Sequence, residues 1–96
     1  MIVEFINNIY INLLLILIMK ILIRDSKGHY STINISGSNT VSKLKEIIKT
    51  QNKIKIDIEL IFNGMILEDS YTLDELDIEE GNTIDYLGTF LAGLNK

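Results

Sequence analysis

The chain contains no cysteine and no proline, and it has a single histidine, His29. Without cysteine there is no disulfide, no thiolate nucleophile and no cysteine-ligated zinc site. A lone histidine cannot form a metal site with other histidines. None of the serines has a histidine base at a recognisable spacing, which a catalytic triad requires. The composition therefore argues against thiol chemistry and serine hydrolysis.

Paired carboxylates are the remaining candidates for catalysis or metal binding. They occur at Glu68-Asp69, Asp74-Glu75 and Glu79-Glu80, and such pairs can hold a cation or exchange protons. These pairs flank predicted turns and short helical segments, which favours ordinary surface roles. The isolated glycines form no phosphate-binding loop. We expect no catalytic residue, no metal ligand, no cofactor and no enzymatic activity.

Charge is distributed unevenly along the 96 residues, which form one domain without room for a second core. Residues 43–55 hold five lysines and one glutamate, whereas the region from Asp57 to Asp85 holds ten carboxylates and no lysine or arginine. This acidic half argues against nucleic-acid binding, which needs cations facing phosphates. It indicates a solvated acidic face, the favoured interpretation, or else a docking surface for a basic partner.

The first predicted element is a β-hairpin. Residues 19–24 alternate in the strand period, with Met19, Ile21 and Ile23 on one face. A turn at residues 25–28 follows, in which Gly28 suits a position that needs positive φ. Residues 30–35 then return as a second strand.

A helix and further short strands follow the hairpin. Thr40 is the predicted N-cap, because apolar residues repeat at helical spacing from Val41, and the helix should end near Asn52. A central strand at residues 60–62, a turn at Asn63-Gly64 and a last strand from Thr83 complete the order. The sequence therefore predicts an α+β fold, a β-grasp with a mixed four- to five-stranded sheet packed on one main helix.

The same residues carry a resemblance to the ubiquitin family over about residues 19–93. The matches comprise the opening strand, the hairpin glycine, the helix pattern and the segment around the central strand. In chain order they are Met19–Ile23, Gly28, Thr40, Val41, Leu44, Lys45, Ile48, Leu60, Ile61, Phe62, Gly64, Leu67, Glu68, Asp69, Thr72, Leu73, Leu76 and Ile78. The resemblance also implies that Lys45 is partly buried and pairs with Asp69.

Several positions depart from the family pattern. Ser26 replaces a leucine of the apolar patch through which the family recruits partners, and Asp85 replaces a histidine beside it. Two lysines that carry ubiquitin chains in the family are here Met65 and Glu80. We therefore expect weakened recognition by ubiquitin's usual small receptors and no chain building through these two positions.

Surface apolar residues are the strongest functional indication. The resemblance places Ile61, Met65 and Leu87 on the face of the sheet that points away from the helix, next to the turn at Gly64. Exposed apolar residues of this kind mark protein-binding sites. We predict that these four residues form a partner-binding patch; the alternative is that the N-terminal extension covers them.

The C-terminal residues raise the question of conjugation. Gly93 falls at the distance expected for the terminal glycine of a conjugated relative, but Ala92 precedes it where the family has a second glycine. Residues 94–96 would then be a short tail removed by processing. The bulky, arginine-free tail favours a domain that is not conjugated, and processing at Gly93 is the alternative.

Residues 1–18 form a hydrophobic N-terminal extension that is foreign to the family. As a signal peptide it lacks a basic start and small-residue cleavage sites. As a membrane span it reaches about 20 apolar residues only by including three asparagines and Lys20. The favoured interpretation is that Met19 is the working start, with the upstream residues an extension of the reading frame or a hydrophobic arm.

The resemblance implies a non-catalytic protein-interaction module in ubiquitin-type pathways. The expected partners are ubiquitin receptors, ligases, and proteasome or segregase components, in the cytoplasm or nucleus, and not nucleic acid. The alternatives are a covalent modifier matured at Gly93 and a membrane-tethered adaptor held by residues 1–18.

Overall fold

The computed structural model describes residues 17–89 together with Ile6. Within these residues it has β1 (Ile18–Arg24), β2 (Tyr30–Ser36), α1 (Val41–Asn52), β3 (Ile58–Phe62), β4 (Met65–Ile66) and β5 (Thr83–Gly88). The five strands form one sheet in the order β2-β1-β5-β3-β4. The central pair, β1 and β5, is parallel, and every other pair is antiparallel. The predicted mixed sheet with one main helix is confirmed.

The β1–β2 turn is closed by the side chain of Asp25. Its Oδ1 atom accepts hydrogen bonds from the amides of Lys27 and His29, both at 2.9 Å, and Gly28 takes a φ of +84°. His29 is exposed, with its Nδ1 atom 3.5 Å from Asp25 Oδ2. The amide hydrogen bonds from His29 and Lys27 hold the pKa of Asp25 below its usual range.

We expect an Asp25→Asn variant to lose less stability on acidification than the wild-type chain. A carboxylate with a depressed folded pKa contributes stability that is complete above its unfolded pKa, near 3.9, and is lost as the pH falls through the folded value. Asparagine keeps the acceptor oxygen but does not titrate. The check is urea unfolding of both proteins at about pH 6 and about pH 2.5. A stability difference that is the same at both pH values would contradict this role of Asp25.

Helix α1 begins and ends as predicted. Thr40 Oγ1 accepts a hydrogen bond from the Lys43 amide at 3.1 Å, which satisfies one of the free amides of the first turn. At the other end Lys53 is left-handed, with φ 56°. The amide of Ile54 donates to the Lys49 carbonyl at 2.9 Å and that of Lys53 to the Thr50 carbonyl at 3.4 Å. This pair of bonds is the Schellman motif, which stops the helix after Asn52.

The core lies between α1 and one face of the sheet, and the loops from β4 to β5 close its open end. Alternate residues of β1, β2 and β3 are buried, as the strand period requires, and β5 buries Ile84. The buried apolar residues are Ile21, Ile23, Ile33, Ile35, Val41, Leu44, Ile48, Ile58, Leu60, Leu67, Leu73, Ile78 and Ile84. The central strand, predicted at residues 60–62, begins earlier in the structure, at Ile58, which is buried and pairs with Gly88.

A lysine at the edge of this core joins helix, sheet and loop. The Lys45 side chain is only 16% exposed, and its Nζ atom lies 2.6 Å from Asp69 Oδ1 and 3.7 Å from Glu59 Oε2. Each partner comes from a different part of the chain, so the charged contacts hold the loop after β4 against α1. The Lys45–Asp69 pair that the resemblance implied is present.

The segment between β4 and β5 is held by turns. Thr72 and Glu75 cap each other: the Glu75 amide donates to Thr72 Oγ1 at 3.1 Å, and the Thr72 amide donates to Glu75 Oε1 at 3.1 Å. The Leu73 amide donates to the Asn39 carbonyl at 3.0 Å. The segment is therefore a run of turns that buries Leu73 against the core.

Candidate functional site

The sheet face that points away from α1 carries one residue from each strand in a row. The register pairs Arg24 with Tyr30 and with Asp85, and pairs Ile61 with Asp85 and with Ile66. Directly paired residues point to the same face of a sheet. The transverse row across the sheet therefore reads Tyr30, Arg24, Asp85, Ile61, Ile66, and it crosses all five strands.

An ion pair occupies the polar half of this row. Arg24 binds Asp85 through both Nε and a terminal nitrogen, with 3.0 Å between Nη2 and Oδ2. The other terminal nitrogen donates to the Tyr30 hydroxyl at 3.1 Å, and the guanidinium carbon lies 5.7 Å from the Tyr30 ring centroid. The hydrogen bonds to Asp85 raise the pKa of Arg24 above its ordinary value. A bidentate ion pair on an exposed surface fixes the orientation of its two side chains but adds little to the stability of the fold.

Three apolar residues lie beside this ion pair on the same face, and we call Ile61, Ile66 and Leu87 the open-face patch. Leu87 lies two residues beyond Asp85 in β5, on the same face and diagonal to Ile61. Ile66 is 63% exposed, and Ile61 and Leu87 are half-buried. Ile61 and Leu87 thus lie on the open face, as expected from the sequence.

Met65 lies on the other face, and its predicted position on the open face is wrong. The two-residue turn pairs Met65 with Phe62 and Ile66 with Ile61, so the strand period places Ile66 on the open face. Met65 is 69% exposed and lines a cleft of about 430 Å³ whose other lining residues include Phe62, Tyr71 and Leu76 as well as Ile66 and Glu68. A direct contact of Met65 with a partner stays a prediction.

Gly64 sets the register that creates the patch. Asn63 and Gly64 have φ values of 52° and 78°, which is the type I′ geometry that joins strands through two residues. The predicted turn at these residues is present. Gly64 is exposed beside the patch, and its contribution to partner binding stays a prediction.

A cavity of about 840 Å³ lies elsewhere, between the second half of α1 and the start of β3. Its lining mixes charges of both signs: Lys49 Nζ lies 3.5 Å from Asp57 Oδ1, and Lys45 contacts Asp69 and Glu59. Because its lining carries charges of both signs, this wide groove does not offer a specific binding site for an anion.

Other expectations concern segments or groups outside this face. Gly93, the predicted conjugation terminus, and residues 1–16 except Ile6 lie outside the described residues. In the described part, no helix has the length and apolar character needed to cross a membrane. Nor do residues 17–89 bring three metal-ligating side chains together into a cation site.

Comparison with known proteins gives two similarities. The family model described as "Ubiquitin-2 like Rad60 SUMO-like" matches residues 19–87. A protein of Dictyostelium discoideum, "Ubiquilin", is 34% identical over 67 residues, which cover 69% of this chain. The matched part is 13% of that relative, so this chain is similar to only a small portion of the longer Dictyostelium protein.

Proposed function

The chain belongs to the ubiquitin-like family described as Rad60 SUMO-like, and from this premise we propose that it is a non-catalytic protein-interaction module of a ubiquitin-type pathway. Its partners would be ubiquitin receptors, ligases, or proteasome or segregase components, in the cytoplasm or nucleus. The observation that carries this proposal is the open-face patch of Ile61, Ile66 and Leu87, which α1 leaves uncovered.

The patch has the make-up of a small interface. An apolar centre lies next to a polar row, in which Arg24 and Asp85 hold each other in place, so a partner meets a preorganised surface. Only three aliphatic side chains supply the centre. We therefore expect weak affinity from this patch alone, as in transient signalling contacts.

We expect the Ile61→Ala variant to bind a ubiquitin-receptor subunit of the proteasome about tenfold more weakly than the wild type, because truncating a central interface residue costs more than about 1 kcal/mol. The measurement is an NMR titration of the labelled chain with the isolated receptor. Resonances of Ile61, Ile66 and Leu87 should shift most.

Thr32→Ala is the matched control for this experiment. Thr32 lies in β2 and pairs with Leu22, so it shares the open face but lies at the opposite edge from β4. The control should leave Kd within twofold of the wild type, an energy difference below about 0.5 kcal/mol. Equal Kd values for Ile61→Ala and the wild type would reject the patch as the binding site.

The two alternatives depend on Gly93, which lies outside the described residues, and on residues 1–18, of which the structure describes only Ile6, Leu17 and Ile18. A covalent modifier would require a chain that ends at Gly93 and forms adducts of higher mass. A tethered adaptor would require residues 1–18 to enter a bilayer. Intact mass measurement of the protein from its own cells distinguishes the first alternative from the module proposed here.

A further inference from the structure

The charges that surround the open-face patch have one dominant sign. Each patch residue has a carboxylate as a neighbour, either across the strand pairing or along the chain. The three pairs are Ile61 with Asp85, Leu87 with Glu59, and Ile66 with Glu68. The first two are direct cross-strand pairs, and Glu68 follows Ile66 by two residues, beyond the buried Leu67. The apolar patch thus has an acidic rim.

Arg24 and Lys45, two cations at this end of the sheet, are already engaged by carboxylates. Arg24 is bound to Asp85. Lys45 contacts both Asp69 and Glu59. Lys27 borders the cavity beside Leu87, but Asp25 borders the same cavity. Glu68 is exposed and forms no ion pair among the described residues. A partner that approaches the patch therefore meets an excess of negative charge.

The geometry of the patch limits the form of the partner. At Ile61, strand β3 is paired on both sides, with β5 through Asp85 and with β4 through Ile66, so a partner cannot add a strand there. The patch spans three adjacent strands, about 10 Å at the usual strand spacing. That width matches the diameter of one α-helix, about 10–12 Å with side chains.

We propose that the open-face patch binds a short amphipathic helix whose aliphatic stripe is flanked by lysine or arginine. This inference rests on the proposed function and adds the chemistry of the partner. The stripe covers Ile61, Ile66 and Leu87, while the basic flanks approach Glu59, Glu68 and Asp85. A helix with acidic flanks meets like charges at the same positions, which opposes its binding.

The test uses two synthetic helical peptides with the same leucine and isoleucine stripe. One peptide has lysine and arginine at the flanking positions, and the other has glutamate. Binding to the full chain is measured by fluorescence anisotropy at low salt and again at about 0.5 M salt. We expect the basic peptide to bind at least about tenfold more tightly at low salt, with the advantage reduced at high salt because exposed charges are screened.

Two charge-reversal variants separate local attraction from net charge. Glu68→Lys should weaken binding of the basic peptide roughly three- to tenfold, because it replaces an attraction at the rim by a repulsion. Glu79→Lys changes the net charge by the same amount. Glu79 lies in the loop before β5, where its amide donates to Asn82 Oδ1. This second variant should change Kd less than about twofold.

The outcomes distinguish this inference from the proposed function. If the acidic peptide binds as tightly as the basic one and Ile61→Ala weakens both, the charge preference is wrong and the patch stands. Equal effects of Glu68→Lys and Glu79→Lys would also overturn the acidic rim as the selecting feature. If neither peptide binds, or Ile61→Ala has no effect on either, the patch and the inference built on it both fail.

Discussion

Replacing Leu44 by alanine should lower the free energy of unfolding by about 2–5 kcal/mol. Leu44 is fully buried at the centre of the helix stripe, between Val41 and Ile48, which are also fully buried. Truncation removes apolar atoms from the core and leaves a cavity, since α1 and the sheet can close the gap only in part. The measurement is equilibrium unfolding in urea, followed by circular dichroism.

Thr50→Ala provides the matched control on the same helix. Thr50 is exposed on α1, so its truncation should change the unfolding free energy by less than about 0.5 kcal/mol. Both variants should keep the wild-type dependence of the unfolding free energy on urea, because the surface exposed on unfolding is nearly unchanged. A loss well below 1 kcal/mol for Leu44→Ala would mean that the register of the helix is wrong.

Replacing Gly64 by valine should cost about 1–3 kcal/mol, the second largest effect expected. Gly64 has a φ of 78°, and a β-branched side chain is strongly disfavoured in this region. The cost arises from backbone strain rather than crowding, since a Cβ atom at this position would meet nothing within 4 Å. Urea unfolding again measures the loss.

The neighbouring residue supplies a control for this turn. Asn63 has a φ of 52°, and Asn63→Gly should be tolerated with a change below about 1 kcal/mol, because glycine adopts positive φ freely. Gly64→Val should also alter the amide resonances of Ile66, since the turn sets the β3–β4 pairing. An unchanged stability and an unchanged Ile66 resonance would show that the turn is not of the type described.

The fold followed from local patterns because its signals are short-range. Thr40, the apolar repeat from Val41 and the stop at Asn52 all act within one helix. Each hairpin depends on a turn of a few residues, as at Asn63-Gly64. The family resemblance ordered these elements into a β-grasp, and the match of the family model to residues 19–87 agrees with it.

The candidate site was only partly predictable. The resemblance assigns Ile61 and Leu87 to the open face, but it also assigns Met65 to that face and does not indicate Ile66. The signal for Ile66 was present, because a two-residue turn at Asn63-Gly64 dictates that residue 66 pairs with residue 61. The register that this turn sets therefore identifies Ile66 as the partner of Ile61.

No local sequence pattern indicates the Arg24–Asp85 ion pair in the way that the turn at Asn63-Gly64 indicates Ile66. The two residues are 61 positions apart and meet only because β1 pairs in parallel with β5. Nothing in the local sequence around Arg24 indicates a carboxylate opposite it. The same holds for the acidic rim. The sequence shows a region rich in carboxylates, but it does not show that three of them lie beside the three apolar residues of the patch.

The sequence by itself determined which residues are apolar and at what period, and hence the helix, the strands, the turns and the buried core. Those properties depend on backbone preferences and burial within a few residues of each position. The tertiary structure decided which exposed residues become neighbours, because strand order and register bring together positions far apart in the chain. The open-face patch, its ion pair and its acidic rim exist only at that level.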